Sequence, residues 1–394
     1  MIYDLIIIGF GISGISLAKE SVKRNKKILI LEKNTNFGGV WFKCNNTTCL
    51  QTHKDYYEFN NEESMFSNVS SYPNKKEILL YLEKILDKYN LNNHVIYNYL
   101  VKKIERKNNI YIIDNKYETK YIGICSGYNN NPKIISELDS FNGAIIHSSN
   151  IKHFDFSTIK KKNICVIGNG ASACDIIKNI DNVNKNIKIL NIYKTPKYFI
   201  DKYIFNIPIS YFLNEFILIF FKKINIFIYR IILKLINFIF FNNTLNIPFS
   251  KINSNNLIAS NIINNKIQDN SLIYVQDNIK FSLNKSLICN NNIFLNIDII
   301  FLCNGYNSKP KFLEKIPEKR LLGIFNKKYK NIGFIGFNPS YNWPKISEKQ
   351  SGLFLDFIDK KLNINKKYYK KIDSNDFIID SNDFTYNMYD YLKL

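Results

Sequence analysis

The stretch that most constrains this chain is Tyr3–Val22. A short apolar run, Tyr3–Ile8, leads into Gly9-Phe10-Gly11-Ile12-Ser13-Gly14 and then an apolar-periodic stretch from Ile15 to Val22. That pattern is strand, glycine turn, helix. Gly9 permits a tight turn, Gly11 lets a pyrophosphate approach the backbone, and Gly14 lets the helix pack close on the strand. Unpaired N–H groups at the helix start favour an anion. A second apolar run, Lys27–Leu31, ends in Glu32, at the distance where an acid accepts hydrogen bonds from a ribose hydroxyl. Two strands, a glycine turn and an acid in this order predict a dinucleotide-binding unit at the start of the chain.

With 394 residues the chain is long enough for two domains. Its 46% hydrophobic and 15% aromatic content fits a folded protein. The formal charge of +21 raises the question of nucleic acid, but the lysines are dispersed among abundant Asn and Ile and no nucleic-acid signature accompanies them. Solvated basic faces explain the charge better, and no nucleic-acid partner is expected. Seven scattered cysteines with no C-x-x-C predict neither a disulfide framework nor a zinc site. No metal is expected. The apolar N-terminus reads as a strand and not a signal peptide. The expected location is therefore the cytoplasm.

After Glu32 comes Asn36-Phe37-Gly38-Gly39-Val40-Trp41, two glycines beside a large aromatic. The first glycine motif, Glu32 and this segment together resemble flavin-containing monooxygenases of the dimethylaniline type, especially their plant-like branch. The resemblance implies FAD on the first turn, held by Gly9, Phe10, Gly11, Ile12, Ser13, Gly14 and Glu32, with Gly39, Val40 and Trp41 along the flavin. Leu50-Gln51-Thr52-His53 continues it, with His53 where the family often has Asn. Thr52 and His53 are implied to lie near the cofactors, and His53 is the one candidate for a direct catalytic role. A core aromatic at Trp41 and a packing role at His53 are the alternatives.

Further along, Lys75–Tyr89 carries Ile78, Leu79, Leu82, Ile85 and Leu86 at helical spacing, and Asn109–Ile122 reads as a hairpin. Cys125-Ser126-Gly127 stands where the family has an Ala-Thr-Gly-like run. Phe141, Gly143 and His147 match the family's F-x-G-x-x-x-H-x-x-x-[F/Y] fingerprint, and Ile151 departs from its last position. His147 is expected to couple domains and not to bind metal. Asn163–Ile167 then feeds Gly168-Asn169-Gly170-Ala171-Ser172-Ala173, a second strand–turn–helix. The following strand, Ile187–Tyr193, ends in Tyr193-Lys194-Thr195 with no acid. A cation there attracts a 2′-phosphate that an acid would repel. NADPH is therefore expected on Gly168, Gly170, Ser172, Ala173 and Lys194.

Ile224–Phe241 is nearly all apolar, but Arg230 and Lys234 sit mid-segment. As a helix it would be about 27 Å long. The two charges argue against a clean span, leaving a helix packed on the protein or in peripheral contact with a membrane. Asp298–Tyr306 resembles the family's return run, and Glu348-Lys349-Gln350 an E-x-Q pattern starting the last helix. The tail repeats Asp-Ser-Asn-Asp-Phe at 373–377 and 380–384.

The expected fold is α/β, with two Rossmann-like dinucleotide-binding domains. An NADPH domain (158–294, with an apolar helical insertion at 198–249) interrupts a split FAD domain (1–157 and 295–394). The resemblance implies that NADPH reduces FAD, that a C4a-hydroperoxyflavin forms with O2, and that a small-molecule nitrogen or sulfur is oxygenated. Alternatives are a Baeyer–Villiger monooxygenase or NADPH oxidase of the same fold, or a non-catalytic flavin-binding or redox-sensing protein. A pyridine nucleotide–disulfide reductase would need a redox cysteine pair, and Cys44 and Cys49 lie too far past Gly38-Gly39 to serve.

Overall fold

A computed structural model describes residues 1–60, 62, 64, 69–127, 131–209, 231, 257–307, 310, 312, 313, 320–326, 328–337 and 342–362. Four described helices exceed ten residues: α1 (Ile12–Lys23), α2 (Lys75–Lys88), α3 (Ala171–Val183) and α4 (Trp343–Ile358). The chain divides into two compact units. The first comprises Met1–Phe42, Lys54–Asn131 and Tyr306–Leu394, and the second Lys43–His53 and Pro132–Gly305.

In the first unit a seven-stranded sheet is built around the strand Ile2–Ile8. Ile28–Leu31 lies parallel on one side of it, followed outward by Val95–Ile96, and Tyr117–Ile124 lies parallel on the other. Ile110–Ile113 and Tyr117–Ile124 form the expected hairpin, with Asp114 and Asn115 both at positive φ in its turn. Ile104–Lys107 extends it as a third antiparallel strand that the sequence pattern did not reveal. Ile332–Phe334 returns to pair in parallel with Tyr117–Ile124. Leu5–Ile8 and Ile28–Leu31 are buried throughout, as strands covered on both faces must be. Helix α2 starts at a capping box, with Asn74 accepting from the Glu77 N–H and the Glu77 carboxylate accepting from the Asn74 N–H.

The second unit holds a five-stranded, all-parallel sheet in the order Leu272–Gln276, Ile189–Tyr193, Ile164–Ile167, Ile299–Leu302, Ala144–His147. Helix α3 lays Ala173, Ile176, Ile177 and Ile180 on this sheet in one core with Ile164, Val166, Ile189 and Phe301. A small antiparallel sheet of Ile279–Leu283, Ser286–Cys289 and Ile293–Phe294 belongs to the same unit.

The expected domain limits shift. Residues 132–157 and 295–305 belong to the second unit, because Ala144–His147 and Ile299–Leu302 are strands of its sheet. Residues 43–53, expected in the first domain, also belong to the second. The apolar segment 224–241, apart from Ile231, and both tail copies lie outside the described residues. Among the described residues no helix is long and apolar enough to cross a membrane.

Candidate functional site

Each unit carries one glycine turn at the carboxyl end of a buried parallel strand, and each turn opens a helix. The first glycine of each turn adopts a left-handed conformation, Gly9 at φ +100° and Gly168 at φ +107°. A side chain at either would run into backbone, 2.7 Å from the Cys125 carbonyl O at Gly9 and 2.3 Å from the Cys303 carbonyl O at Gly168. The second glycine of each turn caps its helix in extended conformation. Neither Gly11 nor Gly170 has a side-chain cap, and neither helix has an acid in its first turn. The helix-start N–H groups are thus left without the side-chain acceptor that ordinarily satisfies them. A Cβ built on Gly170 has nothing within 4 Å, and one on Gly11 meets only the Gly39 backbone, from 3.5 Å. Space and donors fit a phosphate at both turns.

At the first turn, Glu32 is 3% exposed and already engaged. Its Oε2 accepts from the Phe10 N–H at 2.6 Å, and its Oε1 accepts from the Asn34 N–H at 2.8 Å and Nδ2 at 2.6 Å. It ties the glycine turn to the end of the neighbouring strand, and Oε2 keeps acceptor capacity for one more donor. Glu32→Ala is expected to lower stability by about 1–3 kcal/mol, because the buried Phe10 N–H loses its acceptor. Chemical denaturation checks this, and Glu32→Gln, which keeps one acceptor oxygen, should lose less. Tyr97, which the sequence did not single out, packs its ring on Phe10. Burial, and then the Glu32 charge, push its hydroxyl up to about 12.

Gly38-Gly39 folds onto the same turn. The Gly38 N–H donates to the Phe10 carbonyl at 2.9 Å, and both glycines have positive φ. Trp41 is 7% exposed, and its Nε1–H donates to the Tyr57 hydroxyl at 2.6 Å with the rings edge to face. Trp41 is thus anchored in the first unit, whereas Val40 is exposed. Ser13 is bonded to Ser347 on α4, Oγ to Oγ at 3.0 Å.

The E-x-Q pattern does not start the last helix. Helix α4 begins at Trp343 behind Asn342, with Pro344 in its first turn, a start signal the sequence already carried. Glu348 and Gln350 are buried mid-helix, and neither is an exposed helix-face polar. Gln350 Oε1 accepts from the Gly336 N–H at 2.8 Å. Glu348 pairs with Lys19 of α1 and accepts from the Asn60 N–H at 2.6 Å. Lys19, fully buried, also pairs with Glu62 at 3.1 Å. This ion cluster is absent from the sequence reading, since nothing local distinguishes Lys19 from a solvated lysine.

At the second turn, Asn169 Nδ2 donates to the Thr195 carbonyl at 3.0 Å and to the Tyr274 hydroxyl at 2.9 Å. This holds the turn beside the loop that presents Lys194, which is exposed. Asn191 is fully buried, and its Nδ2 donates to the Val166 and Gly168 carbonyls at 2.8 and 2.7 Å. It shapes the glycine turn from within the sheet. Tyr193 stacks on Tyr274, with ring centroids 4.1 Å apart. Ala173 is buried against the sheet, and Ser172 is half-buried on the first turn of α3.

The fingerprint around Phe141 is explained locally. A Cβ at Gly143 would lie 2.5 Å from the Phe141 ring and 2.6 Å from the Asp298 carbonyl O, so the ring folds over a bare Cα. His147 Nδ1 accepts from the Ser149 N–H at 3.0 Å, and its Nε2–H donates to the Gly305 carbonyl at 3.2 Å. Burial holds the imidazole below its ordinary pKa. The Lys133 N–H donates to the same Gly305 carbonyl, so His147 bonds to the point where the two ends of the 132–305 segment meet. Ile151 lies in that unit's core. Thr52 and the 4%-exposed His53 belong to the second unit and not to the first.

All seven cysteines are free thiols. Burial pushes the thiol of Cys125 far up, which fits a packing residue and not a nucleophile. Among the described residues no cluster of His, Cys, Asp or Glu could hold a metal ion.

A profile of the pyridine nucleotide-disulphide oxidoreductase family matches residues 6–216, more than half of the chain. A 4-hydroxybenzoate brominase (decarboxylating) of Marinomonas mediterranea is 27% identical over 207 residues, 49% of this chain and 39% of that protein. An FAD-binding monooxygenase of Aspergillus niger is 28% identical over 224 residues, 50% of this chain and 35% of that protein. The match thus spans less than two fifths of these relatives' own length. A crystal structure of cyclohexanone monooxygenase shares the fold at a TM-score of 0.71 and 15% identity, covering 95% of this chain and 92% of that one. The chain belongs to the pyridine nucleotide-disulphide oxidoreductase family, and within it is similar to the flavin monooxygenases.

Proposed function

We propose that the chain is an FAD- and NADPH-dependent monooxygenase that oxygenates a nitrogen or sulfur of a small molecule. The observation that carries this reading is the pair of uncapped glycine turns, one in each unit at the carboxyl end of a parallel strand, with a lysine beside the second. The name of one relative, an FAD-binding monooxygenase, supports the flavin and monooxygenase parts of it. In this reading the α1 N–H groups behind Gly11 bind the FAD pyrophosphate, and the spare lone pair of Glu32 takes a ribose hydroxyl. The α3 N–H groups behind Gly170 bind the NADPH pyrophosphate, and Lys194 meets its 2′-phosphate as a point charge. Buried His53 serves as a hydrogen-bond donor near the reacting centre. When bound, the two cofactors supply hydride transfer and the activation of O2, while the chain supplies binding and orientation.

The test is isotopic. Purified protein is incubated with NADPH, ¹⁸O2 and a panel of tertiary amines and thioethers. One ¹⁸O atom in the product for each NADPH consumed supports the proposal. NADPH consumption that yields hydrogen peroxide and no labelled product would make the chain an NADPH oxidase. Absence of bound flavin and of NADPH oxidation would sink the enzymatic reading.

A further inference from the structure

The segment 43–53 is expected from its sequence position to follow the first glycine motif, yet it is bonded within the second unit. Three hydrogen bonds hold it. Thr47 Oγ1 donates to Asn179 Oδ1 at 2.9 Å, Thr48 Oγ1 donates to Asp175 Oδ2 at 3.0 Å, and Lys202 Nζ donates to the Leu50 carbonyl at 2.8 Å. Asp175 and Asn179 are one turn apart on α3, and Asn179 Nδ2 donates back to the Asp175 carbonyl at 2.7 Å. Two of the three bonds are therefore to the helix that opens at the second glycine turn, and the anchored segment runs on from Leu50 two residues to Thr52 and three to His53. Nothing in the dinucleotide reading of that turn uses Asp175 or Lys202.

We propose that Asp175 of α3 and Lys202 are positioning residues that fasten the Thr47–Leu50 segment beside α3, so that a dinucleotide seated at Gly170 orders Thr52 and His53. The proposal rests on the assignment of the second glycine turn to a dinucleotide. Asp175 and Lys202 are both half-buried, and each favours the charged form of the other. Burial is the larger effect on each. It raises the Asp175 carboxyl to about 6 and lowers the Lys202 ammonium. Groups partly withdrawn from water in this way hold their partners when satisfied and cost stability when left alone. A peptide segment bonded to the helix through two side chains, and to Lys202 through a carbonyl, has few ways to move independently of the helix. Local unfolding of such a segment is then governed by those bonds and not by the stability of the whole unit.

Hydrogen exchange read by mass spectrometry tests this on the full chain, with NADP⁺ as the probe. In the native protein NADP⁺ should slow exchange in peptides covering 166–174 and also in those covering 47–53. In Thr48→Val and in Asp175→Ala the 47–53 peptides should exchange at least tenfold faster without nucleotide, and the protection given by NADP⁺ should be confined to 166–174. Thr48→Ser, which restores the hydroxyl, should return the native pattern, and it also serves if the valine variant does not fold. Unchanged exchange at 47–53 in both variants, or NADP⁺ protection there that survives them, would overturn the proposal. If NADP⁺ protects neither region in the native protein, the dinucleotide assignment and the ordering by nucleotide both fall, while the nucleotide-free variants still decide whether the fastening exists.

Discussion

Gly14→Ala is expected to destabilise the first unit severely. A Cβ at that position would lie 2.0 Å from the Gly9 carbonyl O, which is backbone and cannot swing aside. The start of α1 would have to lift off the turn that feeds it, and that turn is held in place by Glu32 and by Gly38. Changes of this kind fall in the rare class that costs more than about 4 kcal/mol. A loss of that size lowers a melting temperature by about 10 °C or more in a unit of this length. Differential scanning calorimetry of the purified variant, or its failure to accumulate as soluble protein, checks the expectation. An unchanged melting profile would mean that α1 does not pack on Gly9 as described. Gly170→Ala is the control, because its Cβ enters open space and should leave the melting temperature unchanged.

The second large effect separates the two turns by ligand. Gly11→Val and Gly170→Val should both fold, since the first methine carbon meets Gly39 only at ordinary contact distance in one and nothing in the other. Each valine nevertheless fills the space in front of a helix start where a phosphate is proposed to sit. Gly11→Val is expected to lose at least nine tenths of its bound flavin. Gly170→Val is expected to keep flavin and weaken NADPH binding at least tenfold, or about 1.4 kcal/mol. Flavin absorbance per protein and a fluorescence titration with NADPH measure the two. Fully flavinated Gly11→Val would contradict the assignment of the first turn. Loss of both ligands in both variants would show that the turns do not act separately.

Both turns were legible because their physics is local. A buried strand, a glycine whose backbone must turn left-handed and an amphipathic helix leave a contiguous mark, and Gly9 and Gly168 adopt the expected conformation. What stayed hidden is what distant residues decide. Ile104–Lys107 is a short edge strand with charged residues, which carries little periodic signal. The burial of Lys19 depends on Glu348, 329 residues away. The membership of Thr52 and His53 in the second unit depends on Asp175, Asn179 and Lys202, none of which is near them in sequence. Glu348 and Gln350 were noticed for their spacing, but Pro344 is the residue that shows where their helix begins.

The serine contact between α1 and α4 bears on how the molecule is assembled during synthesis. Ser13 meets Ser347 across 334 residues, and Ser16 meets Ser351 across 335. Gly336 closes on the same place, with its Cα so near Ser13 that a side chain would collide. The first glycine motif leaves the ribosome before the second, yet its helix gains these neighbours only after the 334 or 335 residues that separate them have been made. Such long-range closure is slow, because the intervening chain must be ordered before the contact is rewarded. Residues 132–305 are complete much earlier and can collapse on their own sheet while the first unit still lacks Ile332–Phe334 and α4. The earlier-made of the two glycine turns is thus the later to be finished, and until then its apolar strands lack late partners and are open to aggregation.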